Sequence, residues 1–92
     1  MIILNVVYHA KKGMRGALYE ALTPKAEIFR REPGNLCYSY FAACEDEDAL
    51  LLLEKWESEE ALAAHGQTDV FASLGAIKDA YVERMELNKF EC

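Results

Sequence analysis

Residues 51–74 read LLLEKWESEEALAAHGQTDVFASL, and a change of rhythm inside this stretch decides the fold. Leu51 to Trp56 is an apolar, strand-like run in which Glu54 and Trp56, two apart, share one face. At Ser58 the pattern turns helical. A serine hydroxyl accepts a hydrogen bond from the free N–H groups of a first turn, and Glu59 and Glu60 put negative charge at the positive end of the helix dipole. Ala61, Leu62 and His65 then recur at spacings of four and three, which sets His65 on the apolar face of a helix that Gly66 ends. Thr68 caps a further helix expected over about 69–80, where Val70, Leu74, Ile77 and Tyr81 keep helical spacing.

Outward from this corner the other elements fall into place. Leu36 to Ala43 alternates as a strand, and the acidic loop at 44–48 turns it into the strand of about Leu50 to Glu57 as an antiparallel hairpin. Residues 2–9 form a first strand, with Ile2, Leu4, Val6 and Tyr8 on one face and Ile3, Asn5, Val7 and His9 on the other. Apolar residues on both faces predict burial on both sides. Lys11-Lys12-Gly13 makes a turn, and Met14 to about Arg31 has helical period, with Leu18, Leu22, Ile28 and Phe29 among its apolar residues. Pro24 either kinks this helix or, with Thr23 as N-cap, starts a second one. Glu32-Pro33-Gly34 stops it, and a last strand runs from Val82 to about Phe90. The order β-α-β-β-α-β is the ferredoxin-like α+β arrangement: an antiparallel four-stranded sheet with helices on one face.

With 92 residues the chain is read as a single domain, 1–92, able to bury about 60–65% of its unfolded surface. A hydrophobic share of 52% is rich for that size and predicts self-association, with a second copy covering the open sheet face. The net charge of -6 and the lack of a Lys/Arg stripe exclude nucleic acid as a partner. The run Glu45-Asp46-Glu47-Asp48 reads as a solvated loop. MIILNVVYHA has no basic leader region or small-residue cleavage site, and Ala49 to Leu53 is too short to span a bilayer, so no membrane association is expected. Three cysteines without CxxC spacing argue against a disulfide framework or a zinc site and point to the cytoplasm.

REPGNLCYSYF (31–41) and LLLEKWESEEALAAHGQTDVFASL (51–74) together resemble the antibiotic biosynthesis monooxygenase family of the dimeric α+β barrel superfamily. Its members show an E-x-G turn leading to a strand with a tyrosine, then E-x-W and an S/D-x-E-A-L-x-x-H helix. Here these are Glu32, Gly34 and Tyr38, followed by Glu54, Trp56, Ser58, Glu60, Ala61, Leu62 and His65. The resemblance implies a homodimer that oxygenates an electron-rich phenol, quinol or anthrone-like substrate with O2 and without a cofactor. It leaves the reaction itself open, because the superfamily also holds haem-degrading and small-molecule-handling proteins. A small-molecule binding or structural dimer, and an isomerase acting on a small carbonyl compound, are the other readings.

His65, Asn5 and Trp56 are the candidate catalytic residues, and Tyr38, Phe71 and Glu54 the candidate substrate contacts. An imidazole near neutrality can take a phenolic proton; the plain alternative is a core histidine with one satisfied hydrogen bond. Trp56 is either a pocket wall or packing beneath the helix. Glu54, a carboxylate at the end of a leucine run, needs a partner, whether a cation such as Arg84 or a hydrogen bond near Trp56. Asn5 either orients a substrate oxygen or bonds to backbone, and His9 sits at a strand end where exposure is expected. Haem is not expected, because 69–80 offers no histidine as axial ligand, and no residue spacing suggests a metal.

Overall fold

β-branched and aromatic residues from Ile2 to Ala10 make β1 the central strand of the sheet, hydrogen-bonded on both sides. The structure, a computed structural model, describes residues 1–92. After β1 (Ile2–Ala10) come α1 (Arg15–Phe29), β2 (Asn35–Ala42), β3 (Ala49–Trp56), α2 (Glu59–Gly66), α3 (Asp69–Ala72), α4 (Leu74–Tyr81) and β4 (Val82–Glu91). The sheet order is β2-β3-β1-β4 with every pair antiparallel, which is the ferredoxin-like arrangement expected from the element order. No helix is long and apolar enough to cross a membrane.

The two-residue period of the central strands separates the faces. Ile2, Leu4, Val6, Tyr8 and Ala10 of β1 are buried beneath the helices, as are Leu50, Leu52, Glu54 and Trp56 of β3. On α1, Leu18, Leu22, Ala26 and Phe29 form the stripe that meets them, all essentially inaccessible. Ile28 lies off this stripe and is exposed, although helical spacing grouped it with the apolar residues. The opposite sheet face is half-buried at Ile3, Val7, Leu51 and Leu53, so within one chain β1 is fully covered on its helix side only.

Two helix expectations are refined. α1 runs unbroken through Pro24, and Thr23 does not start a second helix: its hydroxyl donates back to the Tyr19 carbonyl at 2.7 Å. The single helix expected over 69–80 is broken. Thr68 does cap α3, accepting from the Phe71 N–H, but the Ser73 hydroxyl turns back to the Val70 carbonyl where α3 ends, and α4 restarts at Leu74. The acidic loop is tied down rather than merely solvated, because Arg15 Nη1 donates to the carbonyls of Ala43, Asp46 and Ala49.

Gly34 fixes how the turn after α1 meets the start of α2. Its φ is +84°, and a Cβ built there would lie 2.5 Å from Ala61 Cβ. Its carbonyl also accepts from the Glu57 N–H at 2.9 Å. Gly34→Ala is therefore expected to lower stability by about 2–4 kcal/mol through backbone strain plus the clash. Gly13 has φ +76° but open space around it, so Gly13→Ala should cost only about 1 kcal/mol. Urea denaturation of both variants checks the ranking, and equal costs would show that the close approach to Ala61 does not matter.

Candidate functional site

Five elements and one turn converge on a single imidazole, α1 through Phe29. β3 sends Glu54 and Trp56 to the helix side of the sheet, because they are two residues apart on a pleated strand. The Ser58 hydroxyl accepts from the Ala61 N–H and fixes the start of α2, which delivers His65 in its last turn, 3% exposed. β2 brings Tyr38 and α3 brings Phe71. The turn between α1 and β2 brings Glu32.

His65 is hydrogen-bonded at one ring nitrogen and has a carboxyl near the other. Nδ1 lies 2.6 Å from Glu32 Oε1, a hydrogen bond, and Nε2 lies 3.9 Å from Glu54 Oε1, within ion-pair but not hydrogen-bond reach. Aromatic rings enclose the imidazole: Phe29 edge-on at 4.5 Å between centroids, Trp56 tilted at 4.7 Å and Phe71 edge-on at 5.1 Å. The Trp56 indole N–H donates to Glu54 Oε1 at 3.0 Å. Burial holds the Glu54 carboxyl above the usual carboxylate range, with the Trp56 hydrogen bond and the neighbouring His65 and Lys78 pulling partly the other way. Burial likewise drives the Tyr38 phenol far above its ordinary value, so Tyr38 stays protonated.

Two cavities meet at His65. The inner one, about 290 Å³, is mostly apolar; Leu4, Val6 and Tyr8 of β1 form part of its wall, and Met85 and Leu87 of β4 another. The outer cleft, about 360 Å³, is bounded by Glu32, Glu57 and Glu60. The imidazole thus borders both a mostly apolar cavity and an acidic cleft.

The structure brings together most, but not all, of the residues singled out from the sequence. His65, Glu54, Tyr38 and Phe71 line the inner cavity. Trp56 is fully buried behind the imidazole and does not line it, so its place is support rather than wall. Asn5 is not part of the cluster. It belongs to the odd-numbered face of β1, so the pleat turns it away from the helices while Leu4 and Val6 reach the cavity. Glu54 does not pair with Arg84, which is exposed beside Glu86; of its two expected partners it takes Trp56. His9 is mostly covered and lies 2.6 Å from Glu86 Oε2 rather than being free in solvent. The residue that sequence reasoning missed as a contact is Glu32. It stood in the E-x-G motif, but nothing in the chain signals a pairing across 33 positions.

Comparisons with known proteins show the family and the fold. The family profile described as Antibiotic biosynthesis monooxygenase matches residues 1–75. This chain belongs to the antibiotic biosynthesis monooxygenase family. A candidate monooxygenase of Bacillus subtilis (strain 168), YcnE, is 30% identical over 71 residues, which is 77% of this chain and 75% of that one. A conserved protein of unknown function from Bacteroides thetaiotaomicron VPI-5482 superposes with a TM-score of 0.89 at 32% identity, covering 99% of this chain and 96% of that one. An antibiotic biosynthesis monooxygenase candidate from Nitrosomonas europaea has the same fold, with a TM-score of 0.91 at 22% identity over 100% of this chain and 98% of the other. The match to the family ends at residue 75, so Lys78 of α4 and all of β4 lie beyond it.

The raised Glu54 carboxyl has a consequence for stability whose sign is opposite to that of a salt-bridged acid. A carboxyl that binds its proton more tightly when folded favours folding in acid. Its stabilising contribution is complete below the unfolded-state value of about 4.3 and is lost as pH rises through the elevated folded-state value. Glu54→Gln keeps an acceptor for the Trp56 indole and removes the titration. The variant should therefore gain stability relative to wild type as pH rises, measured as urea midpoints from pH about 4 to 8. A difference that does not grow with pH would show that burial does not raise the Glu54 carboxyl.

Proposed function

We propose that this family member is a cofactor-independent monooxygenase that oxidises a small phenolic or quinol-type aromatic with O2, working as a cytoplasmic homodimer. One observation carries the reading: His65 is buried with Nδ1 hydrogen-bonded to Glu32 and Nε2 3.9 Å from the Glu54 carboxyl, and His65 and Glu54 both line a mostly apolar cavity. A carboxylate on Nδ1 fixes the tautomer that leaves Nε2 free as an acceptor, the same division of labour that orients catalytic imidazoles elsewhere.

In the proposed reaction Nε2 takes the phenolic proton, and Glu32 steadies the imidazolium that forms. The substrate anion, poorly solvated among apolar walls, gives one electron to O2, and the radical pair combines to form a C–O bond. For an anthrone-like methylene, loss of water from the resulting peroxide yields the ketone. One oxygen atom then ends in product and one in water, and the substrate itself supplies the electrons. Glu54, whose carboxyl burial holds above the usual carboxylate range, lines the cavity beside His65, while Tyr38 and Phe71 enclose the ring. Trp56 acts through its hold on Glu54 and its contact with the imidazole.

Oxygen uptake over a panel of quinols and anthrones, after treatment with a chelator, tests this directly. His65→Ala should lower uptake at least about tenfold, and Glu32→Gln should lower it while leaving the fold intact. Uptake unchanged in His65→Ala would sink the reading. Turnover of a carbonyl substrate without oxygen consumption would assign isomerase chemistry to the same base.

The dimer is supported by the open sheet face. Ile3, Val7, Leu51 and Leu53 form an apolar patch there, interrupted by Asn5 and flanked by Phe41 and Phe90, each about half exposed. A second copy of this face is its natural cover. The free state of all three thiols fits a reducing compartment. Sedimentation velocity should give twice the 10.4 kDa chain mass for wild type and a monomer for Leu53→Arg. A monomeric wild type would remove the dimer from the proposal.

A further inference from the structure

Three side chains of the inner cavity's lining can carry charge near neutral pH, and one of them has no bonded partner. His65 is engaged by Glu32, and Glu54 by the indole of Trp56. Lys78 of α4 lines the same cavity, and its ammonium joins none of the ion pairs in the chain. Its Nζ stands 5.8 Å from the centre of the Phe71 ring, another wall of the cavity. Lys78 is also only partly exposed. An ammonium placed beside apolar walls attracts an anion more strongly than one in open water.

We infer that the cavity selects aromatic substrates bearing an anionic group, such as a carboxylate, which meets Lys78 while the hydroxyl to be deprotonated faces His65. The role of the hydroxyl rests on the oxygenase reading; the charge preference rests on the cavity alone. A volume of about 290 Å³ holds a small aromatic acid. The net charge of -6 repels anions at a distance, so a preference for an anion must come from a cation inside the cavity. Lys78 is the only lysine or arginine among its lining residues. It serves as a binding residue; His65 remains the base.

Salicylate and salicylamide make a matched pair, alike in shape and differing in one negative charge. Kd values come from NMR titration, with the His65 ring and Met85 methyl signals locating the ligand. Salicylate should bind wild type at least about tenfold more tightly than salicylamide. Lys78→Met should erase that difference by weakening salicylate alone, and Lys78→Arg should keep it. Equal affinities in wild type, or a preference that survives Lys78→Met, overturn the inference and leave the oxygenase reading intact. Charge-selective binding in a protein that consumes no oxygen with the quinol and anthrone panel does the reverse.

Discussion

The two-residue period of the paired strands β1 and β3 governs everything else in this molecule. Their register sets Leu4 opposite Glu54 and Ile2 opposite Trp56, so one face of the pair receives the helices, the buried carboxyl and the indole together. The other face receives Ile3, Asn5, Val7, Leu51 and Leu53. A slip of one residue would exchange the two sets, putting Glu54 on the open face and leaving His65 without its neighbour. The register is pinned because so many large apolar side chains depend on it: Trp56, Phe29, Leu18, Leu22 and Leu52 are all essentially inaccessible.

Within that frame the interior carries an unusual polar load. A small domain gains little by burying an imidazole and a carboxyl, since desolvation offsets much of the attraction between them. Here the burden is spread by geometry. The Trp56 indole satisfies one Glu54 oxygen, Glu32 satisfies one nitrogen of His65, and the acidic side of the pair opens toward solvent through the outer cleft. Such an arrangement departs from what would maximise stability, and departures of this kind concentrate where a protein binds or reacts. Tyr40 is a second departure: burial pushes its phenol up to about 12, with the neighbouring Tyr38 hydroxyl pulling partly the other way.

Much of this was legible in the sequence because it depends on local pattern. The switch from strand to helix at Ser58, the stop at Gly34 and the side-by-side placement of Glu54 and Trp56 all follow from neighbours within a few residues. The position of His65 on an apolar helix face followed as well. What was not legible depends on which way a face points once the sheet assembles. Asn5 was chosen because it interrupts an apolar strand, but only the sheet's packing shows that the interruption faces away from the helices. The contact between Glu32 and His65 joins a turn to a helix end through tertiary packing, and no periodicity encodes it. The break at Ser73 turns on one hydroxyl choosing a backbone carbonyl, a competition too fine for spacing to resolve.

Trp56 is the only tryptophan in the chain, wholly buried and 4.7 Å from the imidazole that borders both cavities. Its indole N–H is committed to Glu54. Near-ultraviolet emission excited at the red edge of the protein band therefore originates from one chromophore at one location. Nothing elsewhere in the molecule dilutes it. The protein thus carries a built-in optical gauge of its own interior, sensitive to the hydrogen bond at the indole and to whatever alters the ring beside it, with no label attached and no residue replaced.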